Sequence, residues 1–391
     1  MATTLIVNTG STSKKFSLFA DGILRASVRL EVTPAGHEMC VSTETEELVC
    51  SPITLDAYDN ALAFTLTTLQ SRSDIADVSA IDAVGVRVVA PGTEFTKHQE
   101  VTEAFLAALS ARESLAPLHI PPTLTAISQV TEALPQARIV AVSDSAFHTS
   151  RPEFVWRYSL PQADADTYDL HKFGYHGLSM ASIARRLPEV FSAVPARTIV
   201  CHLGGGISMT ALRDGRSFDT TMGFAPASGL MMSGRGGDLD AALLLGLMES
   251  KQLSVAELHD YLNHQCGFTG VAGVSDMRSL LDKVAAHDAD GELAFAMFTH
   301  QFKKTIGSLI AALGGLDALV LTATAAVRNP MLRFALLEPL KPLGIEVDRH
   351  RNQETVNTDG RLEHADSRVQ LAVMTTDELG EMDRVTQSFL K

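Results

Sequence analysis

The sequence predicts an α/β protein of two domains, and three observations carry that expectation. Short, β-branched apolar runs alternate with helical stretches along the chain, as strands covered on both faces and joined through helices do. The length, 391 residues, exceeds what one hydrophobic core comfortably serves. A strand–turn–strand plan near the N-terminus also recurs roughly half a chain later, which points to a duplicated unit.

In chain order, TLIVN reads as the first strand, and LIVNTGSTSKKFSLFADG (residues 5–22) as a hairpin that ends on Asp-Gly. Residues 57–70 have helical periodicity, IDAVGVRVV is the next strand, residues 101–111 are helical, and RIVAVS is a strand. TIVCHLGGGISMTALRDG (residues 198–215) repeats the plan of the first hairpin. Helices follow over 240–249, 255–263 and 292–313, the last stopped by Gly314 and Gly315. LDALVLTA and RVQLAVM complete the strands. The first of these leaves through ALVLTATAAVRNP, residues 318–330, a run of small side chains. Close approach of a helix accounts for such a run, and so does a ligand lying against bare backbone.

With 46% hydrophobic and 20% charged residues the chain has the composition of a soluble globular protein. A formal net charge of −14 argues against general affinity for nucleic-acid phosphate. An anionic substrate must then be drawn by a few placed Arg and Lys residues. Cys40, Cys50, Cys201 and Cys266 form no CxxC pair and are expected to be reduced thiols of a cytoplasmic protein. MATTLIVNTG lacks the form of a secretory signal, and AALLLGLM is far short of a membrane span.

Glycine permits backbone that turns successive N–H groups to one side, and Ser or Thr adds donors without bulk. Either Gly/Ser turn alone is explained by a tight hairpin. Two matched turns, one with Lys15 and the other with His202, are better explained as phosphate cradles. Neither is a Walker loop, because no GK[ST] follows and a strand succeeds each turn. Arg87 sits inside an apolar strand, and Asp144 just past RIVAV, where α/β proteins place ligand groups and where a helix cap is the competing explanation. His176 stands between two glycines, and Arg235 in a run of small residues.

That inventory suits phosphoryl transfer, whose transition state spreads charge over three equatorial oxygens and calls for cations, oriented donors and a metal. There is no HExxH, no Cys/His cluster and no strand-to-helix GxGxxG. His259 and His264 are five apart and are expected to face different ways on a helix.

Taken together, LAPLHIPP, SDSAFH, FGYHG, HLGGGIS, TTMGFAPASGL with GRGGDLD, and GVSDMR resemble the acetate kinase family of acetate and propionate kinases. The likeness runs from LIVNTGSTSKKF to MTTDELGEMDRVT, nearly the whole chain. It implies a duplicated actin-like (ribonuclease H-like) ATPase fold with two domains around a central cleft. The expected domains are residues 1–148 plus 375–391, and residues 149–374 with the nucleotide-side loops. The resemblance further implies a homodimer, Mg²⁺ (or Mn²⁺), and ATP/ADP as co-substrate.

By residue, the resemblance implies a metal role for Asn8 and for Asp377, with Glu378 as the alternative in TTDEL. Ser11, Ser13 and Lys15 match the first phosphate loop, and His202, Leu203, Gly204, Gly205 and Gly206 the second. Arg87 and Arg235 match the arginines on the carboxylate and the transferred phosphoryl group, Asp144 the essential carboxylate, and His176 the histidine that stabilises the transition state. His119 matches a further active-site histidine. Val89, Leu118, Tyr175 and Pro226 match the pocket for the methyl group of a short acid. Tyr175 stands where Phe is usual and brings a hydroxyl that needs a partner.

The implied activity is in-line transfer from ATP to acetate or another short acid, giving acetyl phosphate and ADP. The family's HRVVHGG is VRVVAPG here, LHNP is LHIP, and Gly205 stands for Asn. Asp276, Met277 and Arg278 match one nucleoside contact, with Met for Phe. The other, TAGIGEN in the family, is TATAAVRN, so Thr324, Ala325, Ala326, Val327 and Arg328 rewrite it. This change motivates two alternatives: the same chemistry with another nucleotide or pyrophosphate, or a weakly active ligand-binding member.

Overall fold

The computed structural model describes residues 2–10, 13–33, 35–43 and 48–391. The chain divides into two compact units: Met1–Ala146 with Asp377–Lys391, and Phe147–Thr376.

Unit 1 is built on eight strands: β1 (Thr3–Thr9), β2 (Ser13–Ala20), β3 (Ile23–Thr33), β4 (Gly36–Ser42), β5 (Val49–Ile53), β6 (Ala83–Val88), β7 (Gln99–Glu100) and β8 (Arg138–Ser143). They form one sheet in the order β5-β4-β3-β2-β1-β6-β8-β7. β1 pairs antiparallel with β2 and parallel with β6, which pairs parallel with β8. Leu5, Ile6 and Val7 are at most 1% exposed, so the run LIV is buried on both faces. Burial of each such side chain contributes about 1.5–3 kcal/mol.

Unit 2 carries β9 (Arg197–Leu203), β10 (Ile207–Arg213), β11 (Arg216–Thr220), β12 (Ala318–Thr322), β13 (Gly360–Arg361) and β14 (Gln370–Met374). Their order is β11-β10-β9-β12-β14-β13. β9 pairs antiparallel with β10 and parallel with β12, which pairs parallel with β14. The runs β3-β2-β1-β6-β8 and β11-β10-β9-β12-β14 therefore share one plan. This is the duplicated actin-like architecture, and the two hairpins seen in the sequence occupy equivalent places in it.

Three local expectations change. The helix expected over 57–70 is two, Leu55–Asp59 and Ala61–Ser71, because Asn60 leaves helical geometry at φ −91°, ψ 37°. β3 to β5 extend the first hairpin into a meander whose alternation, ILRASVRLEVT in β3, was there to be read. The reduced state expected of all four cysteines is corrected: Cys40 and Cys50 form a disulfide. Antiparallel pairing of β4 with β5 sets the two residues opposite each other, a proximity that sequence spacing does not reveal. Cys201 and Cys266 are free thiols. No helix among the described residues is long and apolar enough to cross a membrane.

Candidate active site

In unit 1, parallel strands β6 and β8 end side by side, and their ends carry the chemistry. Arg87 on β6 donates from Nε to Asp144 Oδ1 (3.3 Å) and from Nη2 to Oδ2 (3.0 Å), a bidentate pair. Its third nitrogen, Nη1, reaches Asn8 Oδ1 on β1 at 3.4 Å. Asp144 follows β8 directly, is 1% exposed, and has its backbone N–H on the Val88 carbonyl (3.0 Å). Burial alone would ease the proton off Arg87, but the charges of Asp144 and Glu378 hold the guanidinium firmly protonated.

Asp377 and Glu378 divide the work at the last helix, Glu378–Ser388. Asp377 is its N-cap and accepts from Gly380 N at 3.0 Å, whereas Glu378 is the acid whose charge acts on Arg87. Lys15 lies opposite Asn8 across the β1–β2 pair, and Gly10 N donates to the Ser13 carbonyl (2.8 Å) to close the turn. Ser11 lies outside the described residues. Val89, Leu118 and His119 are half-buried, the last at the N-terminus of helix Ile120–Ala133.

In unit 2, His176 occupies a left-handed conformation (φ 58°) at the start of helix Gly177–Phe191. A non-glycine residue there is a strained position that the surroundings must hold. Several groups hold it. His148 Nε2 meets the Tyr175 carbonyl at 2.9 Å, and Arg151 donates to the carbonyls of Lys172 and Phe173. The Tyr175 hydroxyl finds its partner in the Phe224 carbonyl (2.6 Å). His148 and Arg151 were not singled out in the sequence; His148 closes the motif SDSAFH, which is the signal that could have found it.

The ring of His176 stacks on that of His202, with centroids 4.0 Å apart and planes at 21°. Each Nδ1 meets a serine hydroxyl at 2.9 Å, Ser208 for His176 and Ser179 for His202. A Cβ on Gly206 would stand 2.9 Å from His176 Nε2 and 3.8 Å from Arg235 Nη1, so glycine is required to let the three groups gather. Arg235 donates from Nη1 to the Pro226 carbonyl (2.9 Å), and among the described residues it has no carboxylate partner. Burial pushes its pKa down. A guanidinium desolvated without a counter-charge is prepared to receive an anion.

A cavity of about 360 Å³ in the same unit is lined by Gly204, Gly205, Ser233, Asp276 to Arg278, Thr324, Ala325, Arg328 and Asn329. Asp276 caps helix Met277–Ala285 through Ser279 N (2.9 Å) and Oγ (2.7 Å). Burial raises its pKa, but these hydrogen bonds and Arg278 outweigh that and hold it low. ATAAVR is a short helix, Ala323–Arg328, entered through Ala323 at φ 69°. Ala326 and Val327 turn into the core, at 0% and 7% exposure, and Leu203 is at 0%. Arg333, itself fully buried, donates to the Ala326 and Val327 carbonyls and to Thr355 O, fixing that backbone. Only Thr324, Ala325 and Arg328 of the rewritten stretch therefore face the cavity. Arg278 and Arg328 are exposed, and neither makes an ion pair among the described residues.

The chain matches the model of the Acetokinase family over residues 3–382. It is 35% identical over 381 residues to an acetate kinase of Brachyspira hyodysenteriae, with 96% of each chain covered. To an acetate kinase of Thermoanaerobacterium thermosaccharolyticum it is 34% identical over 382 residues, covering 96% of this chain and 95% of that one. Among solved structures it resembles the acetate kinase of Porphyromonas gingivalis, with TM-score 0.86, 30% identity and 100% of both chains covered. A propionate kinase from Francisella tularensis gives TM-score 0.90 at 28% identity, over 99% of this chain and 100% of that one.

Proposed function

The chain belongs to the acetokinase family, and we propose that it is a carboxylate kinase that transfers the terminal phosphoryl group of ATP to acetate or another short-chain acid. One carboxylate oxygen attacks the γ-phosphorus in line, the bond to the bridging oxygen breaks, and its electron pair leaves with ADP. The acid is already ionised at pH 7, so no general base is needed. Reversal is the same step read backwards from acetyl phosphate and ADP.

Arg87 holds the acid's carboxylate, and Asp144 fixes the plane of that guanidinium. Val89, Leu118 and His119 of unit 1, and Tyr175 and Pro226 of unit 2, are assigned to the acid's alkyl end. Arg235 and His176 meet the equatorial oxygens of the phosphoryl group, while His202 supports the His176 ring from behind. Gly204–Gly206 and, in the first loop, Ser11, Ser13 and Lys15 are assigned to the donor phosphates, and Asp276–Arg278 with Thr324, Ala325 and Arg328 to the rest of the donor. Ala326, Val327 and Leu203 serve as packing beneath those walls.

Mg²⁺ fits the oxygen donors that unit 1 offers beside Arg87, namely Asn8 Oδ1 and the Glu378 carboxylate, since it needs only one or two protein oxygens besides phosphate. When bound it neutralises charge on the donor phosphates. We assign Glu378 this role ahead of Asp377, whose carboxylate caps a helix.

The observation that carries the reading is Arg235, a desolvated guanidinium with no anionic partner among the described residues, beside the His176–His202 stack. Arg235→Ala is expected to bind ATP while losing about 10²–10³ in kcat, the scale of a lost oxyanion donor. Near-normal turnover in a hydroxamate-trapping assay overturns the assignment.

Another nucleotide or pyrophosphate as donor is favoured by one feature, the exposed Arg278 and Arg328 guanidinium groups on the wall of the donor cavity, neither in an ion pair within 4 Å among the described residues. A donor panel decides: robust acetyl phosphate from ATP removes this version. Measurable Mg²⁺-dependent turnover with any donor removes the weakly active ligand binder.

A homodimer is the assembly we propose. Helix Ala241–Lys251 has no buried residue, although Leu243 and Leu245 are 56% and 69% exposed and Leu239 and Val255 flank it at 39% and 65%. Such an apolar face is expected to be covered by a second copy. Cytoplasmic residence is proposed from the use of ATP.

A further inference from the structure

A second cavity, of about 420 Å³, lies wholly within unit 1. Its floor is Val7, Thr9, Lys14 and Phe16, and its walls come from helices Leu55–Asp59, Ala61–Ser71 and Ile120–Ala133. Successive strand residues point to opposite faces. Val7 and Thr9 flank Asn8, and Lys14 and Phe16 flank Lys15, so the cavity opens on the face of the β1–β2 hairpin opposite Asn8 and Lys15. It is therefore separate from the groups that surround Arg87.

Lys14 is an unusual residue for that face. Its side chain shares the inward face of β2 with Phe16, which is 2% exposed. Nζ donates to the Tyr58 carbonyl at 2.7 Å and lies 4.4 Å from the centroid of the Tyr58 ring. It makes no ion pair among the described residues; Asp59, the acid that acts on it, is exposed and beyond ion-pair reach. Burial lowers the ammonium pKa. Tyr58 keeps a buried hydroxyl without a partner among the described residues. A partly desolvated cation with no ion-pair partner among the described residues, over a cavity whose walls are largely apolar, suits an anion with an apolar body.

We propose that this cavity is a second ligand site, one that takes a small monocarboxylate, with the carboxylate on the Lys14 ammonium and the tail against Phe16, Leu62, Ala126 and Val130. The occupant is a free acid and not a phosphate, because one ammonium is the sole cation on the walls among the described residues and the remaining surface suits hydrocarbon. The inference stands apart from the kinase reading, since no residue assigned to transfer lines the cavity.

Hexanoate is the probe, titrated calorimetrically into the full-length protein in the Arg87→Ala background, where the acid's reactive site is disabled. Saturable millimolar binding is expected there, weakened about tenfold or more by adding Lys14→Met. Lys14→Met is expected to unfold at a temperature no lower than its parent, because it removes an unpaired, partly buried charge and keeps the apolar stem. Should it nonetheless unfold, Lys14→Gln, which retains a donor for the Tyr58 carbonyl, is read in the same titration with the same expectation. Absence of saturable binding in the Arg87→Ala background, or binding that Lys14 substitution leaves unchanged, overturns the proposal.

Discussion

Arg87 grips Asp144 through two nitrogens, at 3.0 and 3.3 Å, across the ends of parallel strands β6 and β8. The pair is half-buried on the arginine side and fully buried on the aspartate side. Asp144→Asn keeps the shape but withdraws the charge that holds the guanidinium in plane. We predict a fall of about 10²-fold or more in kcat/KM for acetate. A loss of stability of about 3–5 kcal/mol would accompany deletion of one partner outright, so Asp144→Asn is to be compared with Asp144→Ala by denaturant titration. Activity within a few-fold of the parent removes Asp144 from the site.

Gly206 is predicted to be intolerant of a single methyl group. Its Cβ would stand 2.9 and 3.0 Å from His176 Nε2 and Cε1, so Gly206→Ala must displace the ring from its stack on His202. Because the obstacle is a side chain and not backbone, the fold is expected to survive while kcat falls. Unchanged kcat, with an unchanged thermal midpoint, shows that the position of the His176 ring is immaterial.

His98 predicts a pH dependence of stability. Its Nδ1 accepts from Ser143 N at 3.1 Å, and burial pushes its pKa down to about 4. The unfolded chain takes up that proton near pH 6.5. The unfolded state thus binds more protons between about pH 6.5 and 4, and stability falls as the pH drops through this window. The contribution is at most about 3 kcal/mol. In His98→Gln, whose side-chain oxygen can still accept from Ser143 N, denaturation midpoints measured from pH 7 to 4 should show a flatter decline. An identical slope refutes the assignment.

Leu245 predicts the assembly. At 69% exposure on a helix that buries nothing of its own, it is expected at a contact with a second copy. Leu245→Glu should shift light-scattering mass from dimer toward monomer without lowering secondary structure. A parent protein that is monomeric at all concentrations refutes the dimer.

Much of the fold and the candidate site was legible because it rests on local rules. LIV in β1, GVRV in β6 and ALVLT in β12 are buried strands by composition alone, and the repeat of residues 5–22 at 198–215 announces two equivalent sheets. Arg87 inside an apolar strand and Asp144 just past another are visible as chemistry because packing does not ask for them. Backbone conformation, register and the facing of side chains are not local. Which of Asp377 and Glu378 reaches Arg87 depends on how the last helix starts. Ala326 and Val327 were expected at the donor and point into the core, since Arg333, distant from them in role, fixes their carbonyls.

The sequence by itself determined the two-unit α/β plan, the paired glycine-rich turns and the set of cations suited to phosphoryl transfer. Tertiary structure alone decided the His176–His202 stack, the Cys40–Cys50 disulfide and the cavity under Lys14. The physical reason is that strand identity follows from the hydrophobicity of neighbours in the chain, whereas each of those three depends on which residues the sheet register and helix packing bring face to face.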